Sequence, residues 1–141
     1  MSESYKIDQD IQSFRNFNSF SDVFDKLSRS SLSGNIVFQV QSGQTFTTPI
    51  STELFNKIAL VKEKIKDNRN VIEFIRSGNS TDPIIDFTGT IDRLNFNQII
   101  TLSQYFTLNG IRIAINGNLL NLSALRYYSP ITTCSGIPTD S

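Results

Sequence analysis

Apolar and polar residues alternate in several short stretches of this chain, and this alternation predicts strands. The stretch NIVFQVQ at residues 35–41 alternates in this way, which is typical of a strand that is buried on one face. Ser42 and Gly43 follow as a tight turn, and the run QTFTT at residues 44–48 is rich in strand-forming residues. We therefore predict a β-hairpin in which residues 44–48 pair back on residues 35–41.

Three other stretches repeat apolar residues every three or four positions, which predicts amphipathic helices. Ser19 is the expected N-cap of the first helix, and Ser51 or Thr52 that of the second. Asn95 is the expected N-cap of the third helix, with Gln98 completing a capping box. The predicted apolar faces are Val23, Phe24 and Leu27, then Leu54, Ile58, Val61 and Ile65, then Phe96, Ile99, Ile100, Ser103 and Phe106.

The remaining regular segments are shorter. Residues 71–76 fit either a strand or a short helix, and residues 83–88 predict a strand. Asn109 and Gly110 favour a left-handed end to the third helix. The alternation over residues 111–115 then predicts another strand.

The stretch INGN near the C-terminus allows two interpretations. Asn116 and Gly117 favour a type I′ hairpin turn. After the turn, however, leucines recur every three residues over residues 119–125, which is closer to a helical face than to a strand. We therefore predict a strand, a turn and then a helix with Asn118 as its N-cap.

The two ends of the chain show no clear periodicity. Residues 1–18 are polar with scattered aromatic residues, and we expect a loosely ordered leader or a first helix that docks elsewhere. Residues 129–141 contain two prolines and a glycine, which predicts a flexible tail. One domain over residues 19–128 remains between them, since 141 residues fit a single domain.

The composition excludes several kinds of partner. Thirteen basic and thirteen acidic residues cancel, so the chain has no basic region of the kind that binds nucleic acid. No apolar run approaches the ~20 residues that a membrane-spanning helix needs, and we expect no membrane partner. Cys134 is the only cysteine, which rules out an intramolecular disulfide and fits a reducing, cytoplasmic location.

Candidate catalytic chemistry is sparse. The chain has no histidine, which removes Ser-His-Asp and Cys-His catalysis as well as histidine-bearing zinc sites, and it has no glycine-rich nucleotide loop. Asp82, Asp86 and Asp92 are the nearest set for carboxylate catalysis, although charged residues between strands are usually solvated. We therefore expect no enzyme and no cofactor. The run Lys62, Lys64 and Lys66 is expected to be the solvated face of the second helix.

The order of these elements resembles the BTB/POZ domain family over roughly residues 20 to 128. The matching residues are Ile36, Phe38, Val40, Gly43, Phe46, Ile50, Ser51, Leu54 and Phe55, then Phe96, Ile99, Ile100, Tyr105, Phe106 and Gly110, then Asn118, Leu119, Leu122, Ala124 and Leu125. Asn35 stands where the family has an aspartate, and the chain stops near the family's minimal core. The resemblance implies an α+β fold: a small mixed sheet, with an N-terminal β-hairpin plus later strands, covered by several short helices.

The resemblance also implies a function, because BTB/POZ domains associate with one another and some recruit cullin-type ubiquitin ligase scaffolds. We predict a non-catalytic protein–protein interaction module that forms homo-oligomers, or an adaptor for a larger assembly. Ile91 and Asp92 partly match the family's scaffold contact, with Arg93 adding a positive charge beside them. The candidate self-association residues are Phe14, Phe17, Phe20, Val23, Phe24 and Leu27, which alternatively pack on their own domain. A structural component of a viral or other particle is the alternative function.

Overall fold

The computed structural model describes residues 2–121. The strands are β1 (Ser2–Ile7), β2 (Asn16–Phe17), β3 (Asn35–Gln41), β4 (Thr45–Pro49), β5 (Ile72–Ser77), β6 (Ile84–Thr88), β7 (Thr107–Asn109), β8 (Arg112–Ile115) and β9 (Asn118–Leu119). The helices are α1 (Phe20–Arg29), α2 (Thr52–Asn68), α3 (Arg93–Ile100) and α4 (Leu102–Tyr105). The predicted helix beyond residue 121 and the flexible tail over residues 129–141 lie outside the described residues.

Two mostly parallel sheets and a layer of helices make up the fold, which mixes α and β structure. The first sheet has the order β2-β1-β3-β5-β7, and the second has the order β4-β6-β8-β9. The chain passes from the first sheet to the second and then through a helix before it returns. Ile36 lies beside Ile72 and Phe38 beside Phe74, so β3 and β5 are related by a step of 36 residues. This arrangement is a short solenoid, in which each coil packs on the next.

The predicted hairpin of β3 with β4 is wrong. β3 pairs in parallel with β1 and β5, whereas β4 pairs in parallel with β6. The turn between them is a corner from one sheet to the other. Its backbone N–H groups bond to the next coil, from Ser42 to Ser77 at 2.8 Å and from Gly43 to Thr81 at 2.7 Å. Gly43 has a φ of +77°, so the corner uses the backbone freedom that a hairpin turn also requires.

The chain after residue 115 forms the β-hairpin that an Asn-Gly turn favours, and the predicted helix start at Asn118 is wrong. β8 and β9 pair antiparallel, with Ala114 opposite Leu119 and Ile115 opposite Asn118. Asn116 and Gly117 have φ values of 48° and 82°, as a type I′ turn requires at both central positions. The local turn signal therefore outweighed the leucine spacing, and Asn118 is a strand residue rather than an N-cap.

The leader is also different from our prediction. Residues Ser2–Ile7 form a strand that lies between β2 and β3 in the first sheet. Tyr5 pairs in register with Phe38 and Ile7 with Val40, and Ile7 is fully buried. The first residues are thus part of the domain, because the alternation of Tyr5 and Ile7 continues the buried face of β3.

The helix starts at Ser19 and Ser51 are confirmed. Their hydroxyl oxygens accept the backbone N–H groups of Asp22 at 3.2 Å and Leu54 at 3.0 Å. The third helix starts earlier than predicted, because Asp92 is its N-cap and accepts from the Asn95 N–H at 2.7 Å. It breaks at Thr101 and the helical segment ends at Tyr105. β7 then begins at Thr107, so Asn109 and Gly110 do not end a helix.

Phenylalanine side chains fill the space between the two sheets and the helices. Phe74 lies at the centre of this cluster, with ring centroids 5.2 Å from Phe38, 5.4 Å from Phe20 and 5.5 Å from Phe106. Phe20, Phe38 and Phe74 come from α1, β3 and β5, and Phe106 lies between α4 and β7, so one aromatic cluster joins consecutive coils. Within residues 2–121, no helix combines the length and apolar character needed to cross a membrane.

Candidate interaction site

The N-terminal loop (residues 8–15) presents an apolar side chain to solvent. Phe14 is 97% exposed, and Ile11 on the same loop is 37% exposed. All eleven phenylalanines lie within residues 2–121, and Phe14 is the one that appears among the exposed large hydrophobic residues of this range. The loop lies between β1 and β2, at the end of the solenoid where the first sheet begins.

Two asparagine amides hold the N-terminal loop in one conformation. The Asn16 Nδ2 donates to the carbonyl oxygens of Asp8 and Ile11, both at 2.9 Å. The Asn18 Nδ2 donates to the same two oxygens, at 3.0 and 2.8 Å. The buried Asp8 carboxylate accepts from the Gln44 Nε2 at 2.9 Å, which ties the loop to the second sheet. The exposed phenyl ring is therefore carried by an ordered turn.

Arg15 fixes the base of this turn. Its guanidinium lies 4.4 Å from the centroid of the Tyr5 ring, and its Nε donates to the Ser4 carbonyl at 3.1 Å. The Tyr5 hydroxyl in turn donates to the Glu3 carboxylate at 2.9 Å. Burial and this hydrogen bond raise the pKa of Tyr5 above its usual value. Arg15 is thus held against β1, while its neighbour Phe14 remains in water.

The structure separates the six residues predicted for self-association. Four of them belong to the core of their own chain: Phe20, Val23, Phe24 and Leu27. Phe17 is partly buried, with its ring 5.7 Å from Tyr5 and 5.9 Å from Phe38. Five of the six residues therefore pack on their own domain, which was the alternative interpretation of this stretch. Phe14 alone among them is exposed to solvent.

The structure gives Ile91 and Asp92 structural roles. Ile91 is 8% exposed, and the Asp92 carboxylate caps α3. The exposed apolar side chain of this region is instead Leu94, at 78%. An exposed hydrophobic residue at position 91, as the family resemblance implied for a scaffold contact, is therefore not present.

The aspartates considered for catalysis are each bound locally. Asp82 accepts from Arg76 at 2.7 Å, and the Asp86 carboxylate accepts from the Gly117 N–H at 2.9 Å. Asp92 caps α3, as described above. In the part of the chain that the structure describes, no three histidine, cysteine or acidic side chains are grouped so that they could hold a metal ion.

The lysines of α2 are not a uniform solvated face, which corrects the prediction for them. Lys62 is 7% exposed. The Lys64 Nζ donates to the carbonyl oxygens of Ser28 and Ser30, at 2.6 and 2.9 Å, and so stabilises the end of α1. The sequence did carry a signal for Lys62, because it follows Ile58 by four residues and so continues the apolar face.

Comparisons with family models, with curated proteins and with solved structures found no match to this chain. The resemblance to BTB/POZ domains therefore rests on the sequence pattern alone. The structure differs from two local features that the resemblance implied. β4 pairs with β6 rather than with β3, and Asn118 pairs with Ile115 in a strand rather than starting a helix.

Proposed function

We propose that this chain is a non-catalytic protein-interaction module that self-associates, with Phe14 as its anchor. The observation that supports the proposal is the 97% exposure of Phe14 on a loop that its own hydrogen bonds hold in shape. Aromatic residues are enriched among those that contribute most to protein interfaces. Burying one phenylalanine side chain contributes about 1.5–3 kcal/mol.

The order of the loop strengthens the proposal. An interface that must first order a loop loses part of its binding free energy to that ordering. Here Asn16 and Asn18 already fix the carbonyl groups on either side of the turn. Single exposed apolar side chains are common on protein surfaces, so the proposal rests on the ordered turn that carries Phe14 as well as on its exposure.

In a symmetric dimer, both copies contribute Phe14, so the gain of burial doubles. Two buried rings contribute about 3–6 kcal/mol, which corresponds to at least a 100-fold effect on the dissociation constant. A cullin-type scaffold would need Ile91 at the surface, and Ile91 is buried. The proposal therefore concerns self-association and does not extend to that partner.

Size-exclusion chromatography with light scattering tests the proposal over a concentration series. We expect the mass of the full chain to rise above that of a monomer at tens of micromolar, and Phe14→Ser to remain a monomer with an unchanged circular dichroism spectrum. Leu94→Ser is the matched control, since it removes the apolar side chain of α3 that is 78% exposed and should associate normally. A monomeric full chain at the highest concentration, or equal association of full chain and Phe14→Ser, would refute it.

A further inference from the structure

A polar groove runs between α2 and the α3–α4 segment, well away in sequence from the N-terminal loop. It encloses a cavity of about 210 Å³. The groove lining includes Lys62, Glu63, Gln98, Thr101, Gln104 and Tyr105. Most of these side chains carry hydrogen-bonding groups, so the groove is suited to a small polar ligand.

Lys62 forms the floor of this groove. Its Nζ donates to the Gln98 carbonyl oxygen, the Gln98 Oε1 and the Thr101 Oγ1, each at 2.8 Å. The ammonium also lies 5.3 Å from the centroid of the Tyr105 ring. These acceptors are all uncharged, and none of the ion pairs among residues 2–121 includes Lys62. Lys62 is therefore a buried cation that makes no ion pair among these residues, although Glu63 also lines the groove, and such a cation is uncommon in folded proteins.

The contact with Lys62 also fixes the orientation of Gln98. Its side-chain oxygen accepts from the ammonium, so its Nε2 lies on the opposite branch of the amide. An amide whose oxygen is bound to a cation is polarised, which makes its NH₂ group a stronger donor. Gln98 and Lys62 both line the cavity, so one small ligand there is within reach of both residues.

We propose that this groove binds a carboxylate group, held by the Gln98 amide above the Lys62 ammonium. Glu63, on the same groove, limits the favourable ligand charge to a single negative charge. A monoanionic carboxylate fits this balance better than a phosphate dianion. The carboxylate belongs either to a free small organic acid or to an acidic side chain of a protein partner, which share the same recognition chemistry.

Nuclear magnetic resonance of the ¹⁵N-labelled full chain tests the proposal with acetate as the probe, at constant ionic strength against chloride. We expect saturable shifts, in the millimolar range, of the Gln98 side-chain NH₂ signals and of the backbone amide signals of Thr101 and Gln104, and the backbone signals are the ones compared in every variant. Lys62→Met and Gln98→Ala should each weaken acetate binding about tenfold or more, and Glu63→Gln should strengthen it. Lys66→Met is the matched control on the same helix and should bind acetate as the unmodified chain does. Gln98→Ala keeps the test decisive if Lys62→Met fails to fold.

A second titration identifies the source of the carboxylate. The probe is a short peptide with blocked ends and one glutamate, compared with the same peptide carrying glutamine. Tighter binding of the glutamate peptide than of acetate assigns the site to a protein partner, and equal or weaker binding assigns it to a free acid. Linear shifts that are the same in Gln98→Ala, or weaker binding in Glu63→Gln, would overturn the proposal. None of these outcomes depends on Phe14, so the proposed self-association stands or falls separately.

Discussion

Replacing Lys62 with methionine should change how the stability of this protein depends on pH. Burial lowers the pKa of Lys62 from 10.5 to about 8. In the unfolded chain the amine keeps its usual pKa, so between these values the unfolded state binds more protons than the folded state. The free energy of unfolding therefore rises with pH across this range. At neutral pH the buried ammonium lowers stability, and this penalty is relieved as Lys62 loses its proton.

The size of the effect follows from the two pKa values. Between pH 7 and pH 9.5, a group with these values contributes a gain of about 2 kcal/mol in the free energy of unfolding. The Lys62→Met variant lacks this gain, whereas groups common to both proteins contribute equally. The other titratable side chains of the groove, Glu63 and Tyr105, are present in both proteins. The difference between the two proteins thus isolates the amine.

Urea unfolding at several pH values measures this difference. We expect the unmodified chain to gain about 2 kcal/mol relative to Lys62→Met between pH 7 and pH 9.5. Lys66→Met, which removes an exposed lysine from the same helix, should follow the unmodified chain. Parallel curves for all three proteins would refute the reasoning. A relative loss of stability with rising pH would show that the three acceptors around the ammonium outweigh its burial.

Two further predictions concern the core and the corner between the sheets. Phe74→Ala should cost about 3–5 kcal/mol in urea unfolding, because its ring packs against Phe20 and Phe38 from different elements. A cost below about 1 kcal/mol would contradict the aromatic cluster. Gly43→Ala should be more destabilising than Gly117→Ala. Both positions have positive φ, but a Cβ at position 43 would lie 2.8 Å from the Ser80 Oγ, whereas a Cβ at position 117 meets no atom within 4 Å. Equal costs in thermal unfolding would refute the close approach.

The local structure of this chain was largely predictable from its sequence. The N-caps at Ser19 and Ser51 and the alternation in residues 35–41 depend on neighbouring residues, and the structure confirms them. Strand pairing was not predictable in the same way. The segment Ser42-Gly43 suits a hairpin turn and a corner between two sheets equally well, since both need positive φ at the glycine. The choice depends on β5 and β6, which lie more than thirty residues away.

One signal for the parallel pairing was nevertheless present in the sequence. Residues 36–43 read IVFQVQSG, and residues 72–78 read IEFIRSG. Both begin with isoleucine, have phenylalanine two residues later and end in Ser-Gly. The two isoleucines and the two phenylalanines are in register in the structure. A repeat of this length is typical of solenoid coils, and it predicts parallel stacking rather than a hairpin.

The candidate sites differ in how far the sequence revealed them. Phe14 belonged to a predicted apolar stretch, but the sequence does not show which members of that stretch face the core. Phe17 lies in β2 and Phe20 in α1, and both side chains pack in or against the core, whereas Phe14 lies in the loop before them. Lys62 was missed because a run of lysines usually marks a solvated helix face. Its burial depends on α3 and α4, whose carbonyl and hydroxyl groups surround it.

The hydrogen bonds of the N-terminal loop also explain why Phe14 is informative. A solenoid must protect the open strand edges at its end from unwanted pairing. The loop does this through other residues: the Gln9 Nε2 donates to the Thr45 carbonyl at 2.8 Å, and the Gln9 N–H donates to the Gln44 Oε1 at 3.0 Å. Asn16 and Asn18 supply the internal bonds of the loop. None of these contacts uses the Phe14 side chain, so edge protection does not require a phenyl ring at this position. The residues that protect the strand edge are therefore different from the exposed phenylalanine. A Phe14 substitution that leaves the free energy of unfolding unchanged will for this reason report on association alone.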